Sequence, residues 1–417
     1  MPLCSGVPAS RRRLVTSLAL ALLGVAAMLV FAVLRGPERL VAGDGHYVLA
    51  AARSLAYDGD LDLGNQYWVM GDRWGLGRDP TADHWQLPSR EIGASLVMVP
   101  GVWLHWLLGL GLASEPVFAC LLAAASLGPT WLGCVRVLDQ VRGPLGLDER
   151  ASEGLAAAAV LGFVVPYYAV GAGGYAHALD ATLGAWLLAT LLARRSPGLV
   201  GLLLAAAILT RLQNALWLLW PAVEAGRALA TRSEDRWADL RRLAIVAAIA
   251  ALGVAPQVWL GWAHPGSERG AWGWTLGFFD LADYPRDLLR VGFGAHGLVR
   301  WTPIAGLAAA GLGLAARDRR PWAWPALAVG LGLALLFASV RDVDAGDAFG
   351  ARRWAGAVGG IALGLAPVWA HVQGSPGRRR AVVGLLAALV AANLVVTGLA
   401  LAGRVSLAAP HTGRGYR

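Results

Sequence analysis

The sequence predicts an all-α fold, a polytopic transmembrane helical bundle of about eleven spans with a large first extracytoplasmic loop carrying membrane-parallel helices. Three observations point there. Of 417 residues, 57% are hydrophobic and 15% charged, against about 25% charged in ordinary soluble domains. Apolar runs of about 18–22 residues recur to the C-terminal end, the length that crosses a hydrocarbon core of roughly 30 Å. The arginines stand in short groups between those runs, as they do in cytoplasmic loops.

Composition also excludes. The net charge of +9 forms no single basic face, so nucleic acid is not a partner. All 36 basic residues are arginines; with so much Ala, Gly, Leu and Val, that reads as genomic base bias and carries no function. Three cysteines, Cys4, Cys120 and Cys134, give neither a disulfide framework nor a metal site. No polar run makes a separate soluble domain, and 1–417 reads as one domain without repeats.

The elements follow in order. Arg11, Arg12 and Arg13 precede the first apolar run, 14–34, and fix the N-terminus on the cytoplasmic side. That run exceeds a signal-peptide core and reads as an uncleaved span. Residues 35–111 then form the first extracytoplasmic loop. Within it, 92–111 is long enough to cross, but Pro100 and His105 interrupt it. Counting it as a span would put the loop 135–151, with Arg136, Arg142 and Arg150, outside; it is therefore expected to be non-spanning or re-entrant. The later spans fall at 116–135, 152–170, 175–193, 197–209, 213–229, 241–262, 298–316, 321–340, 353–373 and 381–403. The basic loops 194–195, 227–242, 317–320 and 378–380 then all lie inside, and 263–297 is a second large outer loop.

The run 197–209 covers only about 20 Å of helix, so its turn "LTRLQNALW" lies below the outer surface. Arg211 then sits at membrane depth, where an arginine costs about 2.5–3.5 kcal/mol. It faces a cavity or a partner, or it snorkels outward.

Polar groups collect on the outer side: Asp44, His46, Tyr47, Arg53, His84, Arg90 and Glu91, then Tyr175, His177, Asp180, Arg211, Gln213 and Asn214. Later loops add His264, Asp280, Asp283, His296, Arg300 and Trp301, then Asp342, Asp344, Asp347, Arg352 and Arg353. Such convergence marks a candidate site. In 44–57, Val48, Ala51, Ala52 and Leu55 recur at helical spacing, which predicts a short amphipathic helix lying on the membrane. Asp44 at its start is a helix cap or something more. Asp58-Gly59 stops the helix, with glycine suited to the left-handed position. Asp58, Asp60 and Asp62 have the spacing of a calcium loop but lack its glycine and distant glutamate, so they read as a solvated turn.

Several blocks together resemble a family. "GDGHYVLAAARSLAYDGDLDLGNQY" is similar to the first outer loop of bacterial GT-C fold membrane glycosyltransferases, relatives of the protein O-mannosyltransferases and the lipid A aminoarabinose transferase. "HGLVRWTP" (296–303) and "DAFGARRW" (347–354) resemble two further blocks of a poorly characterised bacterial branch, and "YAHALD" and "LTRLQNALW" match weaker ones. The resemblance implies a polyprenyl-phosphate-linked sugar donor, an unidentified glycan, lipid or protein acceptor, and a site facing outward from the bacterial inner (plasma) membrane. It implies that Asp44 is the catalytic base or orienting carboxylate. Many members carry a second acid directly after it, where this chain has Gly45. Asp180, three residues after His177 and on the same helical face, resembles the second-loop acid of some relatives.

The chemistry agrees. Sugar transfer from a lipid phosphate needs a carboxylate to take the acceptor proton, typically worth about 10²–10⁴-fold. It also needs cations where phosphate charge develops. Arg211 and Arg300 are the phosphate candidates, with Arg352 or Arg353 as a third unless these two merely anchor the membrane surface. His46, Tyr47, His177, His296 and Trp301 complete the substrate-binding set; Trp68, Trp74 and Trp85 stack on sugars or form an interfacial belt. With arginines at the phosphate no cofactor is needed, and a divalent metal, though possible at Asp342, Asp344 and Asp347, is not favoured. Two other classes stand beside the enzyme: a membrane transporter, which would place polar groups near the midplane, and a non-catalytic polyprenyl-phosphate-binding scaffold of cell-envelope assembly.

Overall fold

A computed structural model describes residues 9–71, 88, 90–263, 279–340, 342–343, 348–405 and 407. The candidates His84, His264, Asp344 and Asp347, with Trp74, Trp85 and Cys4, lie outside the described residues. The chain is all-α. It begins with α1 (Ala9–Arg35), α2 (Asp44–Arg53), α3 (Gly64–Met70) and α4 (Gly93–Leu107). A near-continuous stack follows: α5 (Glu115–Ala119), α6 (Leu121–Ala125) and α7 (Leu127–Leu145). Next are α8 (Glu149–Leu161), α9 (Val165–Val170), α10 (His177–Leu192), α11 (Pro197–Thr210) and α12 (Leu219–Ala230). The second half holds α13 (Arg236–Ala250), α14 (Ala255–Ala263), α15 (Tyr284–Phe293), α16 (Leu298–Trp301) and α17 (Pro303–Arg317). It closes with α18 (Ala323–Ala338), α19 (Val358–Val372) and α20 (Pro376–Leu401). Among the described residues the only β pairing is an isolated bridge between Phe279 and Val340.

Each apolar run is helical, but the expected count of about eleven spans is finer than the helices themselves. Among the described residues four stretches, Ala9–Arg35, Leu112–Leu145, Arg352–Val372 and Pro376–Leu401, are long and apolar enough to cross a bilayer. A fifth is bent by 103° between Tyr284–Trp301 and Pro303–Arg317. Of the other runs, His177–Leu192, Pro197–Thr210 and Ala323–Ala338 are unbroken but shorter, and some break where backbone bonding is interrupted. The run 152–170 divides at Gly162–Val164, before Pro166, and 213–229 opens with a 3-10 turn, Leu212–Leu218.

Side-chain contacts orient the bundle. Gly24 backs onto Ala124, Gly128 onto Ser17, and Arg13 reaches Asp139 at 2.9 Å and Glu153 at 3.0 Å, so α1 and α7 run antiparallel. Neither Gly24 nor Gly128 has room for a Cβ; small residues let apolar helices approach where lipid supplies no hydrophobic drive. Thr130 meets Thr182 at 2.7 Å and, one turn on, Gly133 packs on Ala185, so α10 runs alongside α7 in the same direction. Thus the starts of α2 and α10 and the end of α11 share one end of the bundle. Leu138, Leu187, Leu188 and Phe163 fill the core between them.

Helix α4 lies across that same end. Gly93 packs on the Leu209–Thr210 backbone, Gly101 on Phe118, and His105 Nε2 lies 3.1 Å from Ser114 Oγ. Its 15 residues extend about 22 Å, short of the roughly 30 Å core. The reading of α2 as a surface helix needs correction: residues 45 to 53 are all buried. Its apolar face, Val48 and Ala52, packs against Ala94 and Met98 of α4, where Ser95 donates to Val48 O, and on another side Tyr67 of α3 meets Tyr47 edge-on. The helix ends as expected: a π turn, Ser54–Asp58, runs into Gly59 at φ 75°, a conformation open to glycine.

Candidate functional site

Asp44 is not the cap of α2. Gly43 holds that position and no side chain caps the helix; Asp44 is its first residue, and its carboxylate turns to two arginines. Arg90 donates to Oδ1 from Nε at 3.1 Å and from Nη2 at 2.7 Å. Arg352 donates Nη1 to Oδ2 at 3.2 Å and its guanidinium stands 5.5 Å from the ring centre of Tyr175, a cation–π contact. Burial alone would raise the pKa of Asp44, but Arg352 and Arg90 outweigh it and hold the group at about 2. The result is an ionised carboxylate between two guanidinia, formed by the first loop, the segment before α4 and the start of the Arg352–Val372 span.

Gly45 has a packing reason. A Cβ there would sit 3.0 Å from the Gly174 Cα, and Gly174 itself is held by its N–H to Leu40 O at 2.9 Å. A second acid after Asp44 requires the Gly174 backbone to give by a few tenths of an ångström.

Asp180 forms a separate, sealed knot beside the first. It has no exposed surface. Asn214 Nδ2 donates to Oδ1 at 2.7 Å, and the Gly356 N–H donates to Oδ2 at 3.0 Å. Arg211 Nε lies 3.9 Å from Oδ2, beyond hydrogen-bond reach. Arg211 also meets His177 Nδ1 at 3.4 Å and Gln213 Oε1 at 3.2 Å, so its depth is answered by partners, not by snorkelling. Gln213 in turn donates to Arg353 O at 2.6 Å. These bonds join α10, the 3-10 turn after α11 and the turn Arg352–Ala357, which carries Arg352 to Asp44.

The remaining candidates divide. His177 stacks on Tyr175 at 5.8 Å and meets Tyr168 edge-on at 4.5 Å, adjoining the Asp44 cluster. His296 and Arg353 share with Arg352 a cleft of about 20 Å³, room for roughly one water. Trp301 is fixed by its indole N–H to Ala295 O and by Phe349 at 5.2 Å. Arg353 pairs with Asp342 at 3.3 Å. His46 and Tyr47 are buried, His46 Nε2 lying 2.6 Å from Gly71 O and Tyr47 packing edge-on against Tyr67. Arg300 stands exposed, making no hydrogen bond or ion pair to described residues. The acidic triplet serves its own turn: Asp58 accepts from Asn65 and Gln66, Asp60 from Ser54, and Asp62 from the Gly64 N–H at the start of α3. Among the described residues no three His, Cys, Asp or Glu side chains gather as a metal would require.

Sequence reasoning grouped Arg90 and Tyr175 with Asp44 but gave neither a role, and the structure brings all three together at one end of the bundle. The available signal was position: Arg90 is a lone base at the entrance to an apolar helix, in a loop rich in acids. Asn214 and Gly356 carried no such mark.

Fold and site together define an integral membrane helical bundle with an arginine-clamped carboxylate at one end. No family model and no curated protein matches the chain. Among solved structures it is similar to the crystal structure of ArnT from Cupriavidus metallidurans bound to undecaprenyl phosphate, at 19% sequence identity and a TM-score of 0.49, over 84% of this chain and 60% of that one. The chain thus spans less than two thirds of that protein's length.

Proposed function

We propose that the chain is a GT-C type glycosyltransferase that moves a sugar from a polyprenyl-phosphate donor to an acceptor hydroxyl. The site would face the extracytoplasmic side of the bacterial inner membrane, with the N-terminus cytoplasmic. The observation that carries this reading is the Asp44 carboxylate held between Arg90 and Arg352 at the polar end of an apolar bundle. The arginine-rich loops support the orientation, since Arg13, Arg194 and Arg242 gather at the opposite end.

In this reading the acceptor oxygen attacks the anomeric carbon and its proton passes to an Asp44 oxygen. The bond from the anomeric carbon to the phosphate oxygen breaks with its electron pair, and the polyprenyl phosphate leaves as an anion. Arg90 and Arg352 stabilise that anion, with Arg211 behind them, because guanidinium forks match phosphate oxygens. The same arginines hold Asp44 weakly basic in the empty site. A phosphate that draws them off relieves that pull, so the carboxylate gains basicity when the donor is in place. Asp180, sealed and doubly bonded, acts as a positioning residue: it holds the turn that delivers Arg352.

The filled space at Gly45 favours one other reading, a lipid-phosphate binder that does not turn over. A single assay separates them. Consumption of radiolabelled polyprenyl-phosphate sugars is followed in proteoliposomes for wild type and Asp44→Asn, with donor binding measured in parallel. The enzyme reading expects turnover by wild type and a loss of about 10²–10⁴-fold in the variant, with binding retained. Equal rates would remove Asp44 from the chemistry, and binding without turnover in both would favour the scaffold.

A further inference from the structure

At the end of the bundle away from Asp44, a groove of about 490 Å³ opens between α8, α19 and α20. Its volume lies within the roughly 300–1,000 Å³ of small-molecule sites. The wall is apolar, with Leu161, Trp369, Leu386 and Val390 along it and Arg150 and Arg379 at its lower part. The geometry has a clear cause. α8 and α20 both start at this end and are pinned together farther up, where Asn393 Nδ2 donates at 2.8 Å to the carbonyls of both Leu161 and Phe163. Below that pin the two helices part and leave an apolar slot. From Arg379 to Val390 the slot runs roughly 16 Å at 1.5 Å per residue, about one leaflet of a roughly 30 Å core.

The charges at the mouth are unbalanced. Asp148, which also lines the groove, spends its carboxylate on the Ala151 N–H at 2.6 Å as the cap of α8. Neighbouring Glu149 is taken by Arg12 and Arg142. Neither Arg150 nor Arg379 makes a side-chain hydrogen bond or ion pair with any described residue, and both are exposed. Two uncommitted guanidinia over a one-leaflet apolar slot have the form of a site for a phosphate ester with an acyl chain. Basic pockets between membrane helices on the cytoplasmic side recognise anionic lipid head groups in this way.

We infer that this groove binds an anionic glycerophospholipid, its phosphate between Arg150 and Arg379 and one acyl chain along Leu161, Trp369 and Val390. The site lies at the opposite end of the bundle from the carboxylate cluster and is independent of the reaction proposed there.

Phosphatidylglycerol is the probe, offered against phosphatidylcholine to the purified full chain in detergent, with retained lipid counted by native mass spectrometry. Two variants test separate parts. Arg150→Gln/Arg379→Gln removes the phosphate partners. Gly154→Leu fills the slot, and a Cβ at Gly154 meets nothing within 4 Å, so the change fits the helix. Wild type retains phosphatidylglycerol in preference to phosphatidylcholine. Each variant loses that preference, the arginine pair by roughly 30-fold, while unfolding midpoints without added lipid stay at the wild-type value. Equal retention of the two lipids by wild type overturns the inference. So does unchanged binding in Gly154→Leu, which moves the site off the groove, or in the arginine variant, which removes the charge recognition.

Discussion

Arg352 donates Nη1 to Asp44 Oδ2 at 3.2 Å across 308 positions of the chain. The contact joins the first loop to the start of the Arg352–Val372 span, and the turn that carries Arg352 is held in place by Asp180 and Gln213. The carboxylate and its cations therefore come from distant parts of the sequence and meet only when the bundle is assembled. That arrangement makes the two arginines unequal: the Arg352 side chain is 15% exposed and that of Arg90 37%.

Removing the more buried cation should cost more. Arg352→Gln is expected to lower kcat/KM for donor consumption by about 10²–10³-fold, the usual loss when one charge stabiliser is removed, and Arg90→Gln by less. Steady-state kinetics of both variants in proteoliposomes check the order. The reverse order would mean that the exposed guanidinium, not the buried one, meets the phosphate.

Asp180 should behave as a structural group. Its two oxygens accept from Asn214 and Gly356 in a site without solvent, so Asp180→Asn turns one acceptor into a donor facing a donor. A loss of about 1–3 kcal/mol in stability follows, read as a lowered unfolding midpoint in detergent. Activity per folded molecule should stay within a few-fold of wild type, in contrast to Asp44→Asn. A collapse of activity at unchanged stability would place Asp180 in the chemistry instead.

The chain should not accept the acid it lacks. In Gly45→Asp the new Cβ meets the Gly174 backbone at 3.0 Å, and overpacking of this kind costs about 1–3 kcal/mol. The variant is expected to be less stable than wild type and no faster. Higher turnover in Gly45→Asp would show that the backbone yields there and that the acid pair matters.

Much of this was legible in the sequence. Long apolar runs and grouped arginines gave the helical bundle, and Asp58-Gly59 gave the end of α2, because local rules govern both. The short run at 197–209 pointed to an Arg211 that faces a cavity or a partner, and the structure gives the half-buried side chain His177 and Gln213 as partners. What remained hidden were contacts of long sequence separation. The pairing of Asp44 with Arg352 leaves no local trace, nor does the burial of α2, which is enclosed by Ser95 and its neighbours in α4 on one side and by Tyr67 of α3 on another. Amphipathic spacing marks one apolar face and says nothing of what packs on the other. Arg90 was visible as a residue but not as a partner, since only the fold of α4 across the bundle end brings it to Asp44.

The same ion pairs set a pH dependence with a definite sign. In the folded chain Asp44 titrates at about 2, and an unfolded aspartate at about 3.9. A carboxylate depressed on folding stabilises the native state above its unfolded pKa and loses that contribution as pH falls through its folded one. The contribution is about 2–3 kcal/mol at neutral pH, it is complete above about pH 5, and it fades between about pH 4 and pH 2. In Asp44→Asn no such group titrates. Unfolding midpoints of the two proteins, measured in the same detergent from pH 6 down to pH 2, should therefore differ most at the upper end and converge toward pH 2. A gap that stays constant over that range would show that Asp44 contributes through packing and not through its charge between Arg90 and Arg352.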